Sequence, residues 1–216
     1  NQHVLDSFFE FLRTLGLDKK ELDWNIPIPE NARRFVDEQC DPGRKILSIN
    51  ASASSPFRNW SPDRYASIAD VAVQEYGMQV VLTGGPSREE AELSTSIEES
   101  ANSPLVNLVG KTNLKELLAV LDRSTILLAP DTGHAHMATA VGTPVIGLFA
   151  PSNPLRSGPY LSLQHTVNNY PEVLKKELGI TVDEARWGTR VKTPRAMESI
   201  TVEQVTGKLA SILKGS

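Results

Sequence analysis

The sequence predicts an α/β domain in which a parallel β-sheet is covered by helices on both faces. From residue 45 onward, short and solidly apolar runs alternate with amphipathic helical segments, and a polar loop follows each apolar run. Strands buried on both faces read as continuous apolar runs, which is typical of parallel sheets. The length of 216 residues, 40% of them apolar and 22% charged, suits one such domain with an appendage.

The first predicted helix covers residues 1–16 and ends at Gly16. Its apolar positions share one stripe: Val4, Leu5, Phe8, Leu12 and Leu15. The segment DWNIPIPENARRF is expected to be an extended linker, because its two prolines disfavour a continuous helix. Residues 1–43 are therefore predicted to be a helix and linker outside the main domain.

Five strands and four helices follow in alternation. The predicted strands are KILSINA, MQVVLTG, PLVNLVG, TILLA and PVIGLFA. The predicted helices are SPDRYASIADVAVQEYG, SREEAELSTSIEESA, NLKELLAVLDRS and the segment from Thr132. Pro62 after the cap residue Ser61 marks one helix start, and the capping-box spacing of Asn113 and Glu116 marks another. The inward face of the third helix is expected to be Leu114, Leu117, Leu118 and Leu121.

The end of the chain is less regular. Residues 160–200 are expected to be mostly loop, with a short helix near 171–178. The segment ITVEQVTGKLASILKG closes the chain as an amphipathic helix with Thr201 and Gln204 as a capping box. These elements predict a Rossmann-like domain over residues 44–200 and a C-terminal helix over residues 201–216.

The polar loops after the five strands are NASASSPFRNW, TGGPSREE, GKTN, PDTGHAH and APSNP. In a parallel sheet, the loops after the strands emerge at one edge, and ligands bind there. The sequence therefore predicts a ligand site at that edge.

The segment DTGHAH, residues 131–136, lies where the fourth strand meets a helix. The first-turn N–H groups of a helix have no intrahelical partners, and the helix dipole favours an anion there. Gly133 allows close approach of a ligand, and Thr132 adds a hydroxyl donor. Asp131 and His136 are expected to flank these amides, with His134 about 200° around the axis from His136 and pointing elsewhere. The alternative is that Asp131 only caps the helix and both histidines lie on its surface.

Two further groups of residues are candidates for binding. Arg58 is the only cation in the first loop, near the hydroxyls of Ser52 and Ser54, and a guanidinium suits a diphosphate. A solvated loop arginine is the alternative. Glu89 and Glu90 stand where an acid after the second strand commonly meets a ribose hydroxyl, although the helix dipole explains them equally.

The sequence gives no support for a metal site, a reactive cysteine, nucleic-acid binding or a membrane-spanning helix. No metal site is predicted, because such a site needs three or four ligands and His134 and His136 point apart on a helix. Cys40 is the only cysteine and has acidic neighbours, which disfavour a thiolate. The net charge of −4 without a basic block gives no case for nucleic acid. No apolar stretch approaches the ~20 residues of a membrane-spanning helix.

The segment PDTGHAHMATAVGTPVIGLFAPSNP resembles the D-[ST]-G-x-x-H signature region of glycosyltransferase family 9, the ADP-heptose:lipopolysaccharide heptosyltransferases. RNWSPDRYASIAD, VVLTGGPSREEAE and LVGKTNLKELLAVL are similar to further segments of that family, and HVLDSFFEFLRTLGL looks like the helix that joins its two domains. The likeness extends over nearly the whole chain except residues 160–195. It implies the carboxyl-terminal, donor-binding half of a GT-B glycosyltransferase.

The resemblance implies metal-independent transfer of a heptose from an ADP-heptose-type donor to a lipopolysaccharide core acceptor, without a cofactor. It places Asp131, Thr132, Gly133 and His136 at the sugar and diphosphate of the donor. Arg58 would neutralise the leaving diphosphate, where negative charge develops.

The same resemblance places Thr112 near the nucleobase and an acid, Glu89 or Glu90, at the ribose. The general base of the family lies in its other domain, so this chain is expected to bind donor without turning it over. The enzyme is expected to be cytoplasmic, with peripheral association at the inner face of the inner membrane through that other domain.

The chain departs from the family pattern at Asn50, Ala150 and Arg58, where the family usually has Gly, Gly and Lys. Two alternatives stay open at this point. One is a related GT-B sugar-nucleotide enzyme such as an epimerase, and the other is a non-catalytic nucleotide-binding module.

Overall fold

The computed structural model describes residues 1–215, and a six-stranded sheet lies at the centre of the molecule. Its strands are β1 Ile46–Asn50, β2 Gln79–Thr83, β3 Leu105–Asn107, β4 Ile126–Pro130, β5 Val145–Phe149 and β6 Val167–Asn168. They lie in the order β3-β2-β1-β4-β5-β6, and all neighbouring strands run parallel. The predicted α/β class with a parallel sheet is confirmed.

The helices lie between and outside these strands. They are α1 Val4–Thr14, α2 Glu30–Gln39, α3 Pro62–Tyr76, α4 Arg88–Ser100, α5 Leu114–Arg123, α6 Gly133–Ala140, α7 Pro154–Ser157, α8 Tyr170–Leu178 and α9 Val202–Lys214. Short 3-10 turns occur at Pro56–Arg58, Tyr160–His165 and Met197–Ser199. Both predicted capping boxes are present, on α5 and on α9. Residue 216, the last of the predicted C-terminal helix, lies outside the described residues.

Helices cover both faces of the sheet because successive side chains of a strand point to opposite faces. Leu47 and Ile49 of β1 pack in one core with residues of α3, α4, α8 and α9. Ile46 of the same strand packs on the other face against α2 and α5. Leu127 of β4 faces α5 and α6. The sheet is therefore buried on both sides, as its continuous apolar strands indicated.

Two expectations from the sequence are wrong, and one strand was missed. The segment expected to be an extended linker becomes helical at Glu30, because Pro29 occupies the position just before the first turn of α2 and does not interrupt the helix. Strand β6 was not expected, since its two residues are too few to show an apolar run. Leu114, expected to face inward, is the first residue of α5 and is 75% exposed. The predicted domain boundaries stay a prediction.

The order of the strands places a crevice between β1 and β4. The chain leaves β1 toward β2 on one side and leaves β4 toward β5 on the other, so the loops after these adjacent strands diverge. Trp60, where the first of these loops reaches α3, is buried and donates its indole N–H to the carbonyl oxygen of Ile200 at 3.1 Å. None of the helices in residues 1–215 combines the length and apolar character that crossing a membrane requires.

Candidate functional site

A cavity of about 780 Å³ opens at the carboxyl ends of β1, β2 and β4. This volume lies within the roughly 300–1,000 Å³ of small-molecule sites. The lining comes from the loops after those strands and from the first turns of α4 and α6: Ser52, Ala53, Ser54, Pro56, Arg58, Asn59, Gly85, Ser87, Glu89, Glu90, Asp131, Thr132, Gly133 and His134. The loops therefore converge on one edge, as predicted.

Arg58 and Asp131 form a buried ion pair across the crevice. Nη1 of Arg58 lies 3.4 Å from Oδ2 of Asp131 and donates a hydrogen bond of 2.6 Å to the backbone carbonyl oxygen of Asp131. The two side chains are only 14% and 9% exposed. Ser152, in the loop after β5, donates its hydroxyl to the same Asp131 oxygen at 3.0 Å. Asp131 is thus held by groups from two other loops, and it fixes one nitrogen of the guanidinium.

The remaining nitrogens of Arg58 are available to a ligand. Within residues 1–215, neither Nε nor Nη2 of Arg58 has a hydrogen-bond or ion-pair partner. A guanidinium carries five N–H donors in a planar fork that matches phosphate oxygens. The loop that carries Arg58 is itself ordered, because Asn59 accepts a hydrogen bond from the backbone N–H of Ala53 at 2.8 Å. The positive charge of Arg58 is therefore fixed at the cavity wall, with N–H donors that have no partner in residues 1–215.

The N-terminus of α6 is open toward the same cavity. Thr132 occupies the cap position but makes no capping hydrogen bond, and its hydroxyl is buried without a partner in residues 1–215. In contrast, Asn113 caps α5 through two backbone N–H groups. Apart from its two chain neighbours and the backbone of α6 itself, no atom lies within 4 Å of the place where a Cβ of Gly133 would stand. A ligand can therefore reach the first-turn N–H groups, which favour an anion.

The two glutamates of α4 have different surroundings. Glu90 accepts a hydrogen bond from the backbone N–H of Gly85 at 2.7 Å. A Cβ on Gly84 or on Gly85 would stand 2.7 or 2.9 Å from that carboxylate, so the turn and the carboxylate fit closely. Glu89 is exposed at the cavity and has no side-chain partner in the described part of the chain. Of the two acids, Glu89 is the one whose oxygens are all available.

The structure places His134, which was expected to point elsewhere, at the cavity. His134 lines the cavity, and its Nε2 atom is buried without a hydrogen-bond partner in residues 1–215. Burial lowers the pKa of His134 to about 4, so the ring is neutral at pH 7. His136 is an exposed residue outside the lining, but partial burial of its ring lowers its pKa and the charge of Asp131 opposes that change, so its place beside Asp131 stays a prediction. Side chains of a helix tilt toward its N-terminus, which carries the second residue of α6 over the open amides.

Eight of the ten residues predicted to bind substrate line the cavity, and Thr112 and His136 do not. Their expected roles at the nucleobase and at the sugar stay predictions. The sequence reasoning missed His134, although its place in the first turn of α6 was a usable signal. It also left out Ser152, whose contact with Asp131 joins loops 21 residues apart and leaves no local signature.

The other reactive groups lie elsewhere. Burial raises the pKa of the Cys40 thiol, as expected for an incidental cysteine. His3 accepts the backbone N–H of Leu5 and bonds the carbonyl oxygen of Gly158, so its role is structural. In residues 1–215, no three histidine, cysteine, aspartate or glutamate side chains stand close enough together to hold a metal ion.

Comparison with known proteins places this geometry in a family. The model of glycosyltransferase family 9 (heptosyltransferase) matches residues 1–188. The lipopolysaccharide core heptosyltransferase OpsX of Haemophilus influenzae is 37% identical over 210 residues, which cover 97% of this chain and 60% of that protein. The chain therefore spans less than two thirds of the length of this relative.

Solved structures share the fold. The glycosyltransferase family 9 protein of Veillonella parvula has a TM-score of 0.80 at 24% identity, covering 100% of this chain and 61% of that chain. The Escherichia coli ADP-heptose lipopolysaccharide heptosyltransferase II has a TM-score of 0.67 at 22% identity, covering 88% and 53%. The predicted fold, one half of a GT-B glycosyltransferase, is confirmed. The model of glycosyltransferase family 9 matches residues 1–188, and a heptosyltransferase relative is 37% identical. The chain therefore belongs to glycosyltransferase family 9.

Proposed function

We propose that this chain is the donor-binding half of an enzyme that transfers a heptose from an ADP-heptose-type nucleotide sugar to a lipopolysaccharide core acceptor. The observation that carries the proposal is the cavity in which the free nitrogens of Arg58 and the open N-terminus of α6 face the same space. The names of OpsX and of the E. coli heptosyltransferase II support the acceptor and the donor, respectively.

The donor diphosphate is proposed to lie between Arg58 and the first turn of α6. Arg58 would bind phosphate oxygens through Nε and Nη2, while Nη1 stays bonded to Asp131. The backbone N–H groups near Gly133 and the hydroxyl of Thr132 would supply further donors. Because these groups already provide a positive field, we expect binding that needs no divalent metal.

The same groups would serve the chemical step. In the transfer, the bond between the anomeric carbon and the diphosphate breaks, and a hydroxyl oxygen of the acceptor forms the new bond. Negative charge develops on the departing ADP, and donors that are fixed in place stabilise it without reorganising. Asp131 acts as a positioning residue, because it holds Arg58 by both its carboxylate and its backbone oxygen.

Other parts of the donor would meet the rest of the lining. The free carboxylate of Glu89 and the neighbouring Ser87 stand where a ribose hydroxyl would fall, one strand away from the diphosphate. Glu90 is already engaged with Gly85 and would shape the turn. The base that takes the acceptor proton is proposed to belong to the other half of the enzyme, so this chain should bind donor without turning it over.

We also propose where the reaction takes place. A lipopolysaccharide acceptor carries a lipid and the nucleotide sugar is water-soluble, so the two can meet only at a membrane surface. The inner face of the inner membrane, reached from the cytoplasm, is the surface we propose, with peripheral attachment through the other half of the enzyme.

Calorimetry of this chain with ADP, UDP and adenosine, each with and without EDTA, tests the binding site. We expect ADP to bind more tightly than UDP or adenosine and EDTA to change nothing. The complete protein should move heptose from ADP-heptose to a core acceptor, detected as a gain of one heptose in the acceptor mass.

Two results would overturn the proposal. Tighter binding of UDP than of ADP would assign the cavity to another nucleotide, and binding lost on chelation would make it metal-dependent. Conversion of ADP-heptose to an epimer without any acceptor would favour the epimerase alternative instead.

A further inference from the structure

A second, smaller cavity of about 60 Å³ shares Arg58 with the larger cavity. Three segments meet around it: the loop after β1, the loop after β5 and the segment between α8 and α9. Its lining residues are Ser55, Phe57, Arg58, Pro151, Arg190, Val191 and Lys192. Arg58 lines both cavities and so forms part of the wall between them.

The lining of this cavity is strongly cationic. It contains Arg58, Arg190 and Lys192 and no carboxylate, in a chain whose net charge is −4. Arg190 and Lys192 are exposed, and neither has an ion pair or a side-chain hydrogen bond in the part of the chain that the structure describes. Arg58 is already paired with Asp131, whereas the charges of Arg190 and Lys192 have no carboxylate partner among the described residues and attract an anion that lies between them. The charge pattern therefore indicates an anionic ligand.

The backbone that carries Arg190 and Lys192 is held in place. Val191, between them, is 2% exposed, and its N–H donates to the carbonyl oxygen of Pro151 at 2.9 Å. Two residues earlier, the carbonyl oxygen of Thr189 accepts a hydrogen bond of 3.0 Å from the hydroxyl of Tyr170. The segment is thus fixed to the loop after β5 and to α8. Arg190 and Lys192 also lie beyond residues 1–188, the part matched by the family model.

We propose that this cavity binds a phosphate group of the acceptor substrate. The proposal rests on the proposed function, which assigns the donor diphosphate to the larger cavity that Arg58 also lines. The small cavity has room for one phosphate group and not for a nucleotide. An acceptor phosphate seated there would direct the acceptor sugar toward the donor, with Arg58 between the two anions.

The binding test uses inorganic phosphate, followed by amide NMR shifts of this chain with and without saturating ADP. We expect shifts at Val191 and Lys192 that persist when ADP is bound. The double variant Arg190→Gln/Lys192→Gln should bind phosphate at least about tenfold more weakly, because two charged donors are lost. Its ADP affinity should stay within twofold. The matched control Arg186→Gln/Arg195→Gln changes the net charge equally, outside the lining.

A kinetic test on the complete enzyme addresses the acceptor as the source of the phosphate. The double variant should raise KM for a phosphorylated acceptor and leave KM for the donor unchanged, whereas an acceptor without phosphate should show no difference between variant and wild type. Displacement of phosphate by ADP would overturn the proposal and assign the cavity to the donor. An equal loss of phosphate binding in the control variant would also overturn the proposal, because the effect would then come from net charge and not from this cavity. Failure of ADP binding, in contrast, would overturn the proposed function.

Discussion

The larger cavity buries charged and polar groups, whereas α1 leaves apolar side chains in solvent. Around the cavity, Arg58 and Asp131 are almost fully covered, and the buried atoms Oγ1 of Thr132 and Nε2 of His134 have no partner in residues 1–215. A buried polar atom without a hydrogen bond costs about 1–3 kcal/mol of folding free energy. The cavity therefore keeps an arrangement that folding alone would not favour.

Helix α1 shows the opposite distribution. Phe8 and Phe11 are 61% and 63% exposed, and no residue of α1 is fully buried. The helix is attached to the domain by polar contacts: Lys20 donates to the carboxylate of Asp6 at 2.6 Å and to the hydroxyl of Tyr160 at 2.7 Å. The hydrogen bond from Lys20 and a second one of 2.7 Å from the hydroxyl of Tyr160 lower the pKa of Asp6.

The two regions are unfavourable for folding in different ways: the cavity buries polar atoms without partners, and α1 exposes apolar side chains. Unpaired polar atoms in a cavity can be satisfied by a small polar ligand, so changes there should alter both ligand binding and stability. Exposed apolar side chains on an attached helix contribute little to the stability of this chain, so changes there should alter neither. Substitutions at the two regions test this difference.

Arg58→Ala should have the largest effect. Removing a charged donor should weaken ADP binding about 10- to 100-fold, since a hydrogen bond to a charged group contributes roughly 1.5–3 kcal/mol, while adenosine binding should change less than about twofold. The variant also leaves the carboxylate of Asp131 buried without its cation, which should destabilise the fold by about 3 kcal/mol. Calorimetry with both ligands and urea unfolding measure the two effects.

Arg33→Ala is the matched control. The ion pair of Arg33 with Asp122 is shorter, at 2.7 Å, but the side chains are 50% and 30% exposed. An exposed pair contributes about 0–1 kcal/mol, so this variant should bind ADP normally and unfold nearly as the wild type does. Equal losses of ADP and adenosine affinity in Arg58→Ala would show that Arg58 does not contact the diphosphate.

His134 should make the stability of the cavity region depend on pH. Burial lowers its pKa to about 4 in the folded protein. Between about pH 6.5, the usual pKa, and pH 4, the unfolded chain takes up a proton that the folded chain does not, so stability falls as the pH falls. The expected loss is at most about 2 kcal/mol at pH 5 relative to pH 8.

Urea unfolding of His134→Gln at these two pH values measures this contribution. The variant should lose less stability than the wild type on going from pH 8 to pH 5. His136→Gln is the control, because burial also lowers the pKa of His136 but the charge of Asp131 opposes that change, so the shift is smaller. An identical pH response in His134→Gln and the wild type would contradict the burial of His134.

The parts of this structure that could be predicted have local causes. Apolar runs, the capping boxes and Pro62 are properties of neighbouring residues, so five strands and most helices follow from them. The location of the cavity follows from one topological rule, that loops after parallel strands share an edge. This rule places Arg58 and Asp131 together without any knowledge of their contact.

The parts that could not be predicted depend on contacts between distant segments. The cavity around Arg190 and Lys192 exists because Val191 is bonded to Pro151, 40 residues earlier in the chain. Helix α2 was missed for a local reason instead, because Pro29 stands just before its first turn and the residues that follow include many that favour a helix. The place of His134 at the cavity depends on how α6 is rotated about its axis, which packing determines.

The double variant Phe8→Ser/Phe11→Ser should have the smallest effect. Both side chains are more than half exposed, and serine and phenylalanine have similar helix propensities, so unfolding should shift by less than about 0.5 kcal/mol and ADP binding should not change. Leu174→Ala in α8 is the contrasting control, because Leu174 is 0% exposed and a buried leucine truncated to alanine costs about 2–5 kcal/mol. Thermal unfolding by circular dichroism compares the two variants. A loss above about 1 kcal/mol in the phenylalanine variant would mean that α1 packs against this domain through its apolar stripe. The two regions would then not differ in the way described here.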